Sequence, residues 1–154
     1  MSIHMPAFAT RDRFGLVGGH STGEHFVVPL GRVLLALIFI LSAPHLISGA
    51  ATAQAQHHGV PLASLAVPLA GILALVGGLS VALGFHARIG ASLLVVFLLP
   101  VTLFMHAFWS ESNPANMQMQ QIEFLKNMAL LGASLIVAYF GAGPLSADSW
   151  RRRI

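Results

Sequence analysis

The side chains best suited to chemistry in this 154-residue chain are few and cluster in two short segments. His106 and Trp109 close an apolar run, and Gln120, Gln121, Glu123, Lys126 and Asn127 open the next one. Glu123 and Asn127 stand at i and i+4, so a helix puts them on one face, and Lys126 at i+3 can reach Glu123. His, Lys and Asn donate hydrogen bonds to a carbonyl oxygen, while Glu or His can carry a proton. Trp109 or Phe108 can stack on a ring. That combination suits a lipophilic redox molecule, most naturally a quinone. Two other readings stand beside it. In one, Glu123 and Lys126 neutralise each other, Lys126 snorkels toward water, and His106 and Asn127 tie helices together. In the other, His45 and His106 on different helices ligate a haem. The haem is disfavoured by the absence of repeated paired spacing and by Pro44 next to His45. No metal site is otherwise read.

These residues matter because of the background they sit in. The chain is 56% hydrophobic and 8% charged, where a soluble domain carries about 25% charged residues. Mean hydropathy is +0.78. A soluble globular enzyme is therefore excluded, and a membrane protein is expected. The net charge is +3 with only 8 Lys and Arg, in no basic patch interleaved with aromatics, so no nucleic-acid partner is expected. There is no cysteine. That removes disulfides, thiolate nucleophiles and iron–sulfur ligation from this chain. No self-contained catalytic constellation is evident, and no resident cofactor.

A membrane helix needs about 20 mostly apolar residues. Four stretches qualify: 29–47, 62–85, 88–109 and 122–141. The expectation is an all-α polytopic membrane protein, an antiparallel bundle of four transmembrane helices. Residues 1–28 read as a flexible cytoplasmic tail, 29–148 as the membrane domain, and 149–154 as a basic C-terminal tail. In this alternation Arg11, Arg13, Arg32, Arg88, Arg151, Arg152 and Arg153 all fall at one end, as topology and lipid contact require. The stretches 48–61 and 110–121 hold no Lys or Arg. The positive-inside rule then puts both termini in the cytoplasm. His45, His106, Glu123, Lys126 and Asn127 share the opposite end, where His57 and His58 can fold over them. Ala70, Ala74, Gly78 and Ala82 form a small-residue stripe on the second helix. Ala129 and Ala133 repeat that spacing on the fourth, which predicts close packing of those two helices.

The segments Gly31–Gly49, Gly77–Ala91, Phe104–Trp109 and Gln120–Asp148 together resemble the DoxX family of small four-helix bacterial membrane proteins. The Glu-Phe-Leu-Lys-Asn block of Glu123–Asn127 and the Phe-Met-His-Ala-Phe-Trp block around His106 carry most of the likeness. It covers Pro29 to Asp148. The resemblance implies a bacterial plasma-membrane location and a link to redox metabolism, because the related DoxD is a subunit of a thiosulfate:quinone oxidoreductase. Arg32, His106, Glu123, Lys126 and Asn127 then inherit the motif's role. Ala43, Pro44 and His45 depart from the Gly and Lys often found near the end of the first helix. The expected function is a quinone-linked subunit of a larger membrane oxidoreductase or respiratory assembly. It would use His106, Trp109, Glu123, Lys126, Asn127 and His45, with other redox subunits, the bilayer or a second copy as partners. The alternative is a non-catalytic scaffold subunit of a membrane complex.

Overall fold

The computed structural model describes residues 24–151, which are helical almost throughout, with no strand among them. In chain order the elements are α1 (Glu24–Ile47), α2 (Gly49–His57), α3 (Ala63–Leu83), α4 (Ala87–Met105), a single 3-10 turn (Phe108–Ser110), α5 (Pro114–Phe140) and α6 (Ala147–Arg151). Four of them, α1, α3, α4 and α5, are long and apolar enough to cross a bilayer. With no water in the hydrocarbon region, backbone amides and carbonyls must pair within the segment, and the helix does this. The all-α, four-span architecture expected from hydropathy is the one observed. Residues 1–23 of the expected flexible tail (1–28) and residues 152–154 lie outside the described residues.

The boundaries differ from those set by hydropathy, each for a local reason. The first helix begins at Glu24, so residues 24–28 of the expected tail are helical. The stretch between the first two spans is not a plain loop. Its alanines build α2, which buries Ala51 and Ala55 against Ala63 and Val67. The third span ends at Met105, because His106 leaves the helical region at φ −124°. Trp109 therefore sits in the 3-10 turn. The fourth begins at Pro114, well before the expected Ile122. Asn113 caps it, its side chain accepting from the Ala115 amide at 2.9 Å, and Pro114 occupies the first turn, where no amide is needed.

Each long helix packs on its neighbours in the chain: α1 on α3, α3 on α4 and α4 on α5. The core they share includes Ala36, Phe39, Ala74, Val81, Leu94, Leu98 and Leu131. Phe39 of α1 meets Phe97 of α4 edge to face, centroids 6.0 Å apart. The expected close packing of the second and fourth spans is not the arrangement found. The small residues of α3 are used by α1 and α4 instead. A Cβ on Gly78 would stand 3.0 Å from Ile40 Cγ1 and 3.3 Å from the Ala36 carbonyl, both on α1. One on Gly77 would meet Leu94 and the Gly90 carbonyl on α4. The stripe on α3 thus builds the bundle itself and is not left over for a partner. Gly78→Leu is accordingly expected to destabilise the isolated chain by about 2–3 kcal/mol through overpacking, read as a shift in its SDS-denaturation midpoint in mixed micelles. A variant that kept its midpoint and lost only higher assembly would contradict this packing.

Candidate functional site

The antiparallel layout gives the bundle two polar ends. One carries the starts of α1 and α4 with the ends of α3 and α5, and its cations are arginines. The other carries His45, α2, the start of α3, His106 and the start of α5. They are called here the arginine end and the histidine end.

At the histidine end a cavity of about 250 Å³ opens between α1, α2, α3 and α4. Its walls are mostly aliphatic: Leu46 from α1, Ala51 and Ala55 from α2, Ala66, Val67 and Ala70 from α3, and Pro100, Val101, Phe104 and Met105 from α4. Ala51, Ala55 and Val67 are buried. Three polar side chains share the lining: His45, Gln54 and His106. His45 and Gln54 are exposed and His106 is half-buried, so the polar groups mark the accessible side. His106 Nδ1 lies 2.8 Å from Gln120 Oε1. That contact fixes the ring and leaves Nε2 as its other hydrogen-bonding atom. At about 250 Å³ the cavity is somewhat smaller than the roughly 300–1,000 Å³ of drug-sized ligand sites, but its apolar walls and few convergent polar groups are of the same kind.

The structure brings His45 and His106 to this cavity and leaves the other expected site residues outside its lining. Glu123 and Lys126 form an ion pair on α5 whose side chains are 37% and 43% exposed. An exposed pair of this kind contributes little stability, and here it chiefly neutralises two charges carried partway along the α5 span. Asn127 is 7% exposed and lies on the buried face of α5 with Leu131 and Ser134. Trp109 is exposed and forms a triangle with Phe108 and Phe124, centroids 5.1–5.8 Å apart. His57 and His58 pack edge to face on each other at the end of α2, centroids 5.9 Å apart, and neither lines the cavity. Gln54 was not singled out in the sequence. The signal for it was the Ala51/Ala55 spacing, which makes 49–57 a helix with one packed face. Among the described residues no three His, Asp or Glu side chains converge as a metal site would need.

The arginine end is more ordered than its sequence suggests. Arg32 is only 4% exposed. Its guanidinium donates to the Ala142 carbonyl and, at 2.9 Å, to the Leu145 carbonyl, both in the segment after α5. The carboxylate of Asp148 attracts the same guanidinium. Asp148 also caps α4, accepting from the His86 amide at 2.8 Å and the Ala87 amide at 3.0 Å. Its own amide donates to the Gly84 carbonyl at 2.9 Å. Gly84 ends α3 in the left-handed conformation, with the Phe85 amide reaching back to the Ser80 carbonyl and the Gly84 amide to that of Val81. This is a Schellman stop. One arginine and one aspartate thus tie α1, the α3–α4 turn and the C-terminal segment together. Arg151 joins from α6, with its Nη1 3.0 Å from His86 Nε2 and its guanidinium over the Phe85 ring. Arg88 is exposed.

Comparison with known proteins follows from this geometry. The sequence model of the SURF4 family matches residues 12–154. The chain is 29% identical over 121 residues to the inner membrane protein YphA of Escherichia coli (strain K12), covering 77% of this chain and 86% of that protein. It is 27% identical over 125 residues to the inner membrane protein YqjF of the same organism, covering 81% and 92%. No solved structure matches. These matches correct the DoxX assignment, and with it the quinone-linked redox-subunit role built on that likeness. The segments that carried the likeness are apolar helices with Gly and Ala at helical spacing and single polar residues at their ends. Many small four-span bundles need that pattern. The SURF4 match also reaches into the tail that the DoxX likeness left out.

Proposed function

The chain belongs to the SURF4 family, and from that premise we propose that it is an inner-membrane protein that holds a lipophilic molecule in the cavity at its histidine end. The observation that carries the reading is the cavity itself: about 250 Å³, aliphatic walls, and a rim of His45, Gln54 and His106. One chain supplies every wall. The relatives named inner membrane proteins, and the four long apolar helices, support the location. The test fills the cavity. Ala66→Phe and Ala70→Phe each put a ring into space the guest would use. Native mass spectrometry of the wild-type protein released from mild detergent should show a bound small molecule. The two variants should lose it while keeping their helical circular dichroism. Equal retention by all three proteins would refute the reading.

The orientation follows from charge. Arg32, Arg88 and Arg151 share one end, whereas Lys126 lies partway along α5 and is paired with Glu123. We place the arginine end in the cytoplasm and the histidine end outside it. The chain has no cysteine, so single-cysteine variants report without background. Ser112→Cys should react with a membrane-impermeant maleimide on intact spheroplasts, and Ile154→Cys only after lysis. The reverse pattern would invert the orientation.

A further inference from the structure

The lining of the cavity restricts what can occupy it. No Lys, Arg, Asp or Glu is among the lining residues, so a fixed charge on the guest would find no counter-charge in the walls or at the rim. The walls hold one aromatic carbocycle, Phe104, and otherwise alanine, branched aliphatics, Pro100 and Met105. A flat ring would find no second face to sandwich it, whereas a narrow methylene chain fits between alanine-walled helices. Depth agrees. His45 lies in the last turn of α1, Ala63–Ala70 form the first two turns of α3, and His106 follows α4. At 1.5 Å per residue, Ala70 is about 10 Å in from the start of α3. The 21 residues of α3 match the thickness of the hydrocarbon core, so that depth lies among lipid methylenes while the rim lies near the polar boundary.

Selectivity must come from the rim. Lipid tails are as apolar as the cavity wall, so moving a chain from bilayer to cavity gains little hydrophobic free energy. The contacts that the surrounding lipid tails do not offer are hydrogen bonds to polar groups held in fixed positions. We propose that the cavity takes an uncharged acyl or alkyl chain bearing a single hydroxyl end group. The chain lies among Ala51, Ala55, Ala66, Val67 and Ala70, and the end group sits between His106, Gln54 and His45. This rests on the ligand-holding reading above and names the class of guest. With its Nδ1–H donating to Gln120 Oε1, neutral His106 presents Nε2 as an acceptor for that hydroxyl, and Gln54 adds an amide that can donate or accept.

The test uses three diazirine-bearing C12 probes, an alcohol, a carboxylate and a primary ammonium, photolysed with the purified full chain in a zwitterionic detergent and mapped by peptide mass spectrometry. The alcohol is expected to label the 45–70 and 100–106 peptides at least fivefold more than either charged probe. Ala70→Phe should remove that labelling, and Gln54→Ala and His106→Ala should each lower it severalfold. Gln54 is exposed, so its replacement leaves folding intact and keeps the test valid should His106→Ala misfold. Equal cavity labelling by a charged probe, or full labelling in Gln54→Ala, would overturn the class of guest while leaving a ligand cavity in place. Labelling confined to the exposed faces of α5, or unchanged by Ala70→Phe, would overturn both.

Discussion

Arg32→Leu is expected to lower the stability of the bundle by about 3 kcal/mol. Arg32 is buried, and its two end nitrogens serve the carbonyls of Ala142 and Leu145. Leucine restores the volume and serves neither. Ala142 is itself buried, so its carbonyl would be left without a donor, at a cost of about 1–3 kcal/mol for such a group. Asp148 would lose the cation that faces it. Its cap on α4 would then hold a carboxylate with less compensation. Arg32→Lys should recover only part of the loss, because a single ammonium cannot reach two carbonyls as a planar guanidinium does. SDS-denaturation midpoints in mixed micelles would rank the three proteins as wild type, then Lys, then Leu. A Leu variant within about 0.5 kcal/mol of wild type, the range of ordinary surface changes, would show that the knot contributes little. Because Arg32 is remote from the cavity, a folded fraction of either variant should still retain the guest.

The second large effect is expected at Gly84. Its φ is +63°, a region that costs an L-residue with a Cβ about 1–2 kcal/mol. Space is the greater difficulty. A Cβ there would stand 2.5 Å from Ser146 Cβ and 2.8 Å from Arg32 Nη1. Neither neighbour is free to move, since Ser146 is buried and Arg32 is held by two carbonyls. Even Gly84→Ala must open the joint between the α3–α4 turn and the C-terminal segment. The expected loss is about 3–4 kcal/mol, strain and overpacking together. Gly31→Ala is the control, because nothing stands within 4 Å of a Cβ at Gly31, and its midpoint should not fall. If Gly84→Ala and Arg32→Leu act through one joint, the double variant should lose less than the sum of the singles. Strict additivity would separate the two sites.

Much of the architecture is legible residue by residue. The runs around Leu34–Leu41 and Leu93–Leu99 admit only a helix in lipid, and the three residues between α3 and α4 force those two to run antiparallel. The start of α5 was also legible, in Asn113 followed by Pro114, but hydropathy alone places it at Ile122. Polar residues such as Gln118 and Gln120 can extend a helix beyond the apolar slab that hydropathy detects. Arg32 is the clearest case of a residue read too blandly. An arginine in the first turns of a span usually satisfies topology. Its partners here stand 110 and 113 positions away, in a segment that looks like an ordinary polar exit. The Glu123–Asn127 block misleads in the opposite direction. Its five residues suggest a constellation, yet on a helix they point around the axis, with Glu123 and Lys126 toward the surface and Asn127 inward.

Transfer free energy depends on composition along the chain, so the sequence by itself determined the number of spans, their alternation, and the gathering of the arginines at one end. The azimuth of each helix was decided by the tertiary structure. Gly77 and Gly78 could have served any neighbour, and only the assembled bundle gives one to α4 and the other to α1. The same rotation sets His45 and His106 on one cavity and turns the charged pair of α5 away from it. Rotating a helix about its axis leaves its mean hydropathy unchanged but replaces every neighbour it touches, and the free energy of close packing is carried by those neighbours.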